Sequence, residues 1–154
     1  EPMMGPPHFP EIEIPSWEAF CADYIDTFFD DSRPGKGRSY VIEVAGAAAG
    51  HISYSQLNRH EGWAELDIWM ASPEWCGKGY GADALVALSD QLHRTFGLTE
   101  LIVRPSRRNI RALRSYERAG FVPVTSDTAV QLARYGPNEY PDTIVLHRRY
   151  SPSA

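Results

Sequence analysis

The sequence predicts one domain of mixed α/β class: a central, mainly antiparallel sheet flanked by helices. Three observations carry that prediction. Runs of period 2 cluster between residues 40 and 70, apolar residues at helical spacing follow them, and short strand-like runs alternate with those helices toward the end of the chain. With 154 residues the chain suits a single hydrophobic core, so residues 1–154 are read as one domain.

The first fifteen residues carry Pro2, Pro6, Pro7, Pro10 and Pro15, which disfavour a helix interior or a central strand. Ser16 then suits a helix cap, with Trp17, Phe20, Cys21, Tyr24 and Phe28 at helical spacing and a stop before the turn-rich stretch from Ser32 to Gly37. Tyr40 to Val44 reads as a strand, Ala45, Gly46 and Ala47 as a tight turn, and Ala49 to Leu57 as the antiparallel partner. Trp63 to Met70 is a third strand. Its alternation puts Leu66, Ile68 and Met70 on one face, toward the core, and Glu65, Asp67 and Trp69 on the other.

After the break at Ser72 and Pro73 comes a glycine-rich turn, Gly77 to Gly81, and then a helix with Leu85, Leu88, Leu92 and Phe96 on one stripe, closed by Gly97. Glu100 to Arg104 is a short strand. A further helix starts at Asn109, a good cap residue, and ends at Gly120. A strand from Phe121 to Val124, a loop from Thr125 to Asp142 and a last strand from Thr143 to Arg149 complete the chain.

Composition narrows the function classes. A formal net charge of -5 argues against a nucleic-acid partner and favours a neutral or cationic one. No apolar run nears the roughly 20 residues that span a bilayer, and no signal-peptide pattern opens the chain, so the expectation is a cytoplasmic protein with no membrane partner. Cys21 and Cys76 stand in no ligand spacing and are read as reduced thiols. His8, His51, His60, His93 and His147 form no pair one helical turn apart, and no metal is expected.

Two segments carry chemistry. Gly77, Gly79 and Gly81 sit between a strand and a helix, where backbone N–H groups and the helix N-terminus favour an anion such as a pyrophosphate. Glycine at this spacing also serves ordinary turn geometry, and neither the dinucleotide-binding nor the P-loop spacing fits. The second segment has Asn109, Ala112, Tyr116, Gly120 and Phe121 along one helix and its exit. Together the two resemble the GNAT superfamily of N-acetyltransferases, whose loop reads Gln/Arg-x-x-Gly-x-Gly/Ala and whose later helix reads Asn-x-x-Ala-x-x-x-Tyr-x-x-x-Gly-Phe. The resemblance covers roughly Tyr40 to Val124. Because it begins late and the chain opens on Glu1, the family's first strand and helix are expected upstream of Glu1.

What the resemblance implies is an acetyl-CoA donor held at matching positions. The backbone of Met70 would bond the pantetheine arm, and Cys76, Gly77, Lys78, Gly79, Tyr80, Gly81 and Ala82 would form the pyrophosphate cradle. Asn109 would lie near the pantetheine, and Tyr116 would protonate the departing CoA thiolate. Cys76 occupies the place of the family's Gln or Arg, which removes a side-chain donor and leaves the backbone cradle intact. A redox-sensitive thiol and an inert one are both readings of Cys76.

Acetyl transfer to an amine also needs a group that keeps the nucleophile neutral. Glu65 and Asp67 share a strand face and are candidates, with a solvated acidic face as the alternative. Resemblance to aminoglycoside 6'-N-acetyltransferases favours Asp67, and Glu65 is kept beside it. Tyr54, Trp69, Trp75, Tyr135, Tyr140 and Asp142 are candidates for an acceptor pocket, and the Thr125 to Asp142 loop for acceptor selectivity. The expected activity is acetyl transfer to a primary amine of a small, cationic acceptor by direct attack in a ternary complex. A protein N-terminal or lysine acetyltransferase and a non-catalytic acyl-CoA-binding module are the alternatives, and a homodimer stays open.

Overall fold

The computed structural model describes Glu13 and residues 15–23 and 28–151. Its first helix, α1 (Trp17–Asp23), starts at the expected cap, where Ser16 Oγ accepts from Ala19 N at 3.2 Å. Tyr24 and the prolines before Pro15 lie outside the described residues. No α1 residue is buried. The helix meets the sheet through aromatic rings instead: Trp17 stacks on Phe20 at 5.8 Å, and Phe20 meets Trp69 edge-on at 6.2 Å.

Strands β1 (Gly37–Val44), β2 (Ala47–Asn58) and β3 (Trp63–Met70) form an antiparallel meander. Ala45 and Gly46, both at positive φ (51° and 83°), make the two-residue turn whose twist matches its strands. Register then fixes the faces. Ile52 pairs with Tyr40 and Ile68 on the core side, whereas Ser53 pairs with Ser39 and Asp67 on the other.

Helix α2 (Tyr80–Phe96) buries Leu85, Leu88 and Leu92 against that core side, each worth about 2 kcal/mol of apolar transfer. Gly97 ends it in the left-handed conformation with its N–H on the His93 carbonyl. Every residue of β4 (Glu100–Val103) is buried, as its central place in the order β1-β2-β3-β4-β6-β5 requires. It runs parallel to β3 and antiparallel to β6 (Leu146–Arg149), which pairs in turn with β5 (Val122–Pro123). Helix α3 (Ile110–Arg118) begins where Asn109 Oδ1 accepts from Ala112 N at 3.1 Å, and it buries Tyr116.

The last strands are shorter than the sequence predicts. Phe121 leaves the ladder for the main core, and Thr143 makes only an isolated bridge to Ser106. The expected Thr125 to Asp142 loop holds a helix, α4 (Thr128–Tyr135). Its pattern misleads because Val130 and Leu132 are exposed and only Tyr135 is buried. Tyr135 packs edge-on against Trp63 at 5.2 Å, in a second cluster with Ile102 and Val145. Tertiary contact through one residue stabilises a helix that its own periodicity does not announce.

Candidate active site

The site forms where the sheet opens. β3 pairs with β4 only at Trp63, Ala64 and Glu65, although β3 runs on to Met70. From Leu66 to Met70 the edge that faces away from β2 has no strand partner among the described residues. Its peptide groups suit an extended ligand that adds as a strand would. Met70, the expected pantetheine contact, stands at the end of this edge.

The glycine turn lies at the same end. Gly77 and Gly79 have φ of 75° and 91°, where an L side chain costs about 1–2 kcal/mol. A Cβ at either would meet nothing within 4 Å, so backbone shape requires these glycines and the space before them is open. Gly79 caps α2 with no side-chain bond, which leaves first-turn N–H groups to an anion. A Cβ on Gly81 would stand 3.6 Å from Ile68 Cδ1, 3.8 Å from Met70 Sδ and 4.0 Å from Ser115 Oγ. The start of α2, the end of β3 and the middle of α3 therefore meet at one point.

Side chains around the turn have local tasks. Lys78 Nζ lies 5.8 Å from the centre of the Trp75 ring, and Trp75 meets Tyr80 at 6.2 Å. Cys76 is half-buried with Sγ 3.7 Å from the Ser72 carbonyl. Ala82 packs against the main core, and Asn109 spends its side-chain oxygen on capping α3.

Tyr116 is 6% exposed, with its ring edge-on to Phe121 at 6.0 Å. Burial first, then the negative charges of Asp67, Tyr140 and Glu65, push its phenol well above the ordinary tyrosine range. A tyrosine packed beneath the sheet thus feels acids carried on its opposite face. At neutral pH the phenol keeps its proton.

The two acids of β3 differ sharply. Glu65 takes a two-pronged bond from Arg104, Nε to Oε1 at 2.8 Å and Nη2 to Oε2 at 2.7 Å, and a third from Gln56 Nε2 at 2.9 Å. Arg104 Nη1 also donates to the Pro137 carbonyl at 2.8 Å, so this pair pins the segment after α4 to the sheet. Asp67 has no cationic partner among the described residues. Among the described residues it accepts from Trp69 Nε1 at 2.8 Å and Ile68 N at 3.0 Å, and it is exposed. It also lines a cavity of about 220 Å³ with Asp23, Phe28, Ser39, Ser53, Tyr54 and Ser55.

The structure reassigns some expected pocket residues and adds others. Tyr135 lies in the second core, where its hydroxyl donates to Glu100 Oε1 at 3.2 Å. Asp142 is engaged by Ser106 and Arg108, whose hydrogen bond holds its carboxyl below the usual range. Arg104, Asp23, Ser39, Ser53 and Glu139 are not singled out by the sequence. The serines were legible from hairpin register, whereas Glu139 had no sequence signal. Its carboxyl is pushed up by partial desolvation and then by Asp67 and Glu65, with Arg104 opposing.

The Acetyltransferase (GNAT) domain family model matches residues 4–122, more than half of the chain. The chain belongs to the GNAT acetyltransferase family. Aminoglycoside N(6')-acetyltransferases type 1 of Klebsiella pneumoniae and Serratia marcescens are each 33% identical to it over 92 residues, covering 53% of this chain and 46% of the relative. The chain thus spans about half the length of the curated relatives it matches. Two solved GNAT-like structures share the fold. AAC(6')-Ib in complex with paromomycin and acetyl-CoA has a TM-score of 0.60 at 20% identity, covering 80% of this chain and 71% of that one. Spermidine N-acetyltransferase from Vibrio cholerae with CoA and spermine has a TM-score of 0.65 at 19% identity, covering 90% and 78%. Among the described residues of this GNAT domain, no helix is long and apolar enough to cross a membrane.

Proposed function

We propose that the protein transfers an acetyl group from acetyl-CoA to a primary amine of a small, cationic acceptor. One observation carries this reading: the glycine turn at the start of α2, the end of β3 and the middle of α3, the helix that carries Tyr116, meet at one point beside the edge of β3 that β4 leaves unpaired. The cradle fits the donor, because the space before Gly77 and Gly79 is open and the first turn of α2 presents unbonded N–H groups. Met70 and its neighbours on the edge hold the pantetheine arm. Acetyl-CoA supplies the thioester carbonyl that the amine attacks.

Asp67 draws the acceptor's ammonium into the cavity and takes its proton, directly or through one water. Glu65, with both oxygens engaged, holds Arg104 and the segment after α4 in place. Tyr116 presents its proton to the sulfur as negative charge develops there. Its raised pKa makes it a weak acid, so it acts as a hydrogen-bond donor until the C–S bond is nearly broken. The small volume of the cavity and the two carboxylates in its lining, Asp23 and Asp67, favour a small cation over a peptide segment.

The test is a panel of amines with acetyl-CoA, read by release of free thiol. Turnover with small di- or polyamines or amino sugars, and none without an amine, is the expected result. Turnover confined to peptide amines would move the reading to protein acetylation. CoA binding with no turnover on any amine would leave a binding module.

A further inference from the structure

Of the thirteen arginines of this chain, five are held by carboxylates, and three of the others lie together on one helix. Arg38, Arg104, Arg108, Arg134 and Arg148 each pair with a carboxylate. Arg111, Arg114 and Arg118 on α3 are all exposed and have no carboxylate partner among the described residues. Their spacing of i, i+3 and i+7 puts them on one face of the helix, with Glu117 its only acid. In a chain of net charge -5 this is a local positive patch against an acidic background.

Its position is specific. Ser115 lies four residues after Arg111 and three before Arg118, and its Oγ is 4.0 Å from where a Cβ of Gly81 would stand. The arginine stripe therefore borders the start of α2. β3 and β4 are parallel, and α2 and α3 each follow one of them, so both helices begin at the same end of the sheet. Arg111, one turn before Ser115, is the member of the stripe nearest the end of the sheet at which α2 and the turn from Gly77 to Gly79 begin. Packed helices stand about 8–10 Å apart, a gap that an arginine side chain spans.

We propose that Arg111, with Arg114 and Arg118 behind it, forms a second anion subsite that takes the 3'-phosphate on the ribose of CoA, while the glycine turn takes the pyrophosphate. The inference rests on the acetyl-CoA reading above. The turn offers backbone N–H groups, which suit the singly charged oxygens of a pyrophosphate bridge. A phosphomonoester is close to doubly charged at neutral pH and prefers the planar fork of a guanidinium. The subsite makes the protein selective for full CoA over forms without the 3'-phosphate.

The experiment is a calorimetric titration of the chain with CoA and with 3'-dephospho-CoA at low ionic strength. The parent should bind CoA about tenfold more tightly, the effect expected for one or two charge-assisted bonds. Arg111→Gln should narrow that ratio and Arg111→Lys should keep part of it. The triple variant R111Q/R114Q/R118Q should bring it to near one, with dephospho-CoA affinity almost unchanged. Salt should erase the preference in the parent, because the guanidinium groups are exposed. A preference that survives in the triple variant, or a parent with none, overturns the subsite and leaves the CoA reading standing. A parent that binds neither ligand ends both.

Discussion

The glycine turn with its two helices and the acid-bearing face of the sheet are built by opposite means. The turn is made from one short segment, Cys76 to Ala82, and offers backbone N–H groups. The acidic face draws on β1, β2 and β3, on Asp23 and on the segment after α4, and it presents side chains. Glycines at fixed spacing leave a mark in sequence because few residues replace them at positive φ. A pocket assembled across strands leaves none until register is known. Within the face, Glu65 and Asp67 repeat the lesson at smaller scale: two residues apart, one is held by Arg104 and Gln56 while the other faces the cavity.

The largest expected effect falls where the two regions meet. Tyr116→Phe keeps the ring against Phe121 and deletes the proton, so turnover should fall about 10²- to 10⁴-fold while CoA affinity barely changes. Steady-state turnover with the best amine, beside a CoA titration, checks it. Turnover within about threefold of the parent, with chemistry rate-limiting, would remove Tyr116 from the reaction, since that is under 1 kcal/mol.

Next come the two acids, whose split roles can be broken outright. Asp67→Asn should cost about 10²-fold or more in turnover with little loss of stability. Glu65→Gln should do the reverse, lowering stability by about 1–3 kcal/mol through a weakened bond to Arg104 while most turnover survives. Urea unfolding and turnover of both variants decide the matter. A Glu65→Gln variant that is as inactive as Asp67→Asn would return Glu65 to the role of base.

Gly79→Val tests the backbone side. No atom blocks the new side chain, so the cost is the left-handed φ, about 1–2 kcal/mol. Relief of that strain would turn the N–H groups away and should weaken CoA binding about tenfold in calorimetry, on the order of one lost charge-assisted bond. Unchanged affinity would show that the turn is not the cradle. On the acidic face Ser53→Ala should raise the acceptor KM about two- to fivefold, the worth of one neutral hydrogen bond, and leave the KM for acetyl-CoA alone.

The smallest effect is a pH signature of the packed aromatics. Burial pushes Tyr54 and Tyr135 up to about 12, against roughly 10 in an unfolded chain. The folded state holds these protons more tightly, so their contribution is fully present below about pH 10 and is lost as pH rises through 12. Urea midpoints should drop between about pH 10 and pH 12, and less steeply in Tyr54→Phe. An equal slope in that variant would assign the effect to other groups.

Much of this was legible in the chain itself. Period 2 marked the sheet and period 3.6 the helix α2, because burial of one face leaves its period in the residues, whereas the Asn109 cap and Gly120 marked α3. The turn from Gly77 to Gly81 and the run from Asn109 to Phe121 were legible because positive φ, capping and close packing each restrict residue choice locally. Helix α4 was hidden, since its one buried residue, Tyr135, makes no stripe. The early parting of β3 and β4, the Arg104 clamp on Glu65 and the nearness of Glu139 to Asp67 depend on contacts between segments tens of residues apart. Such contacts follow from how the strands pack and diverge, and only the tertiary structure could decide them.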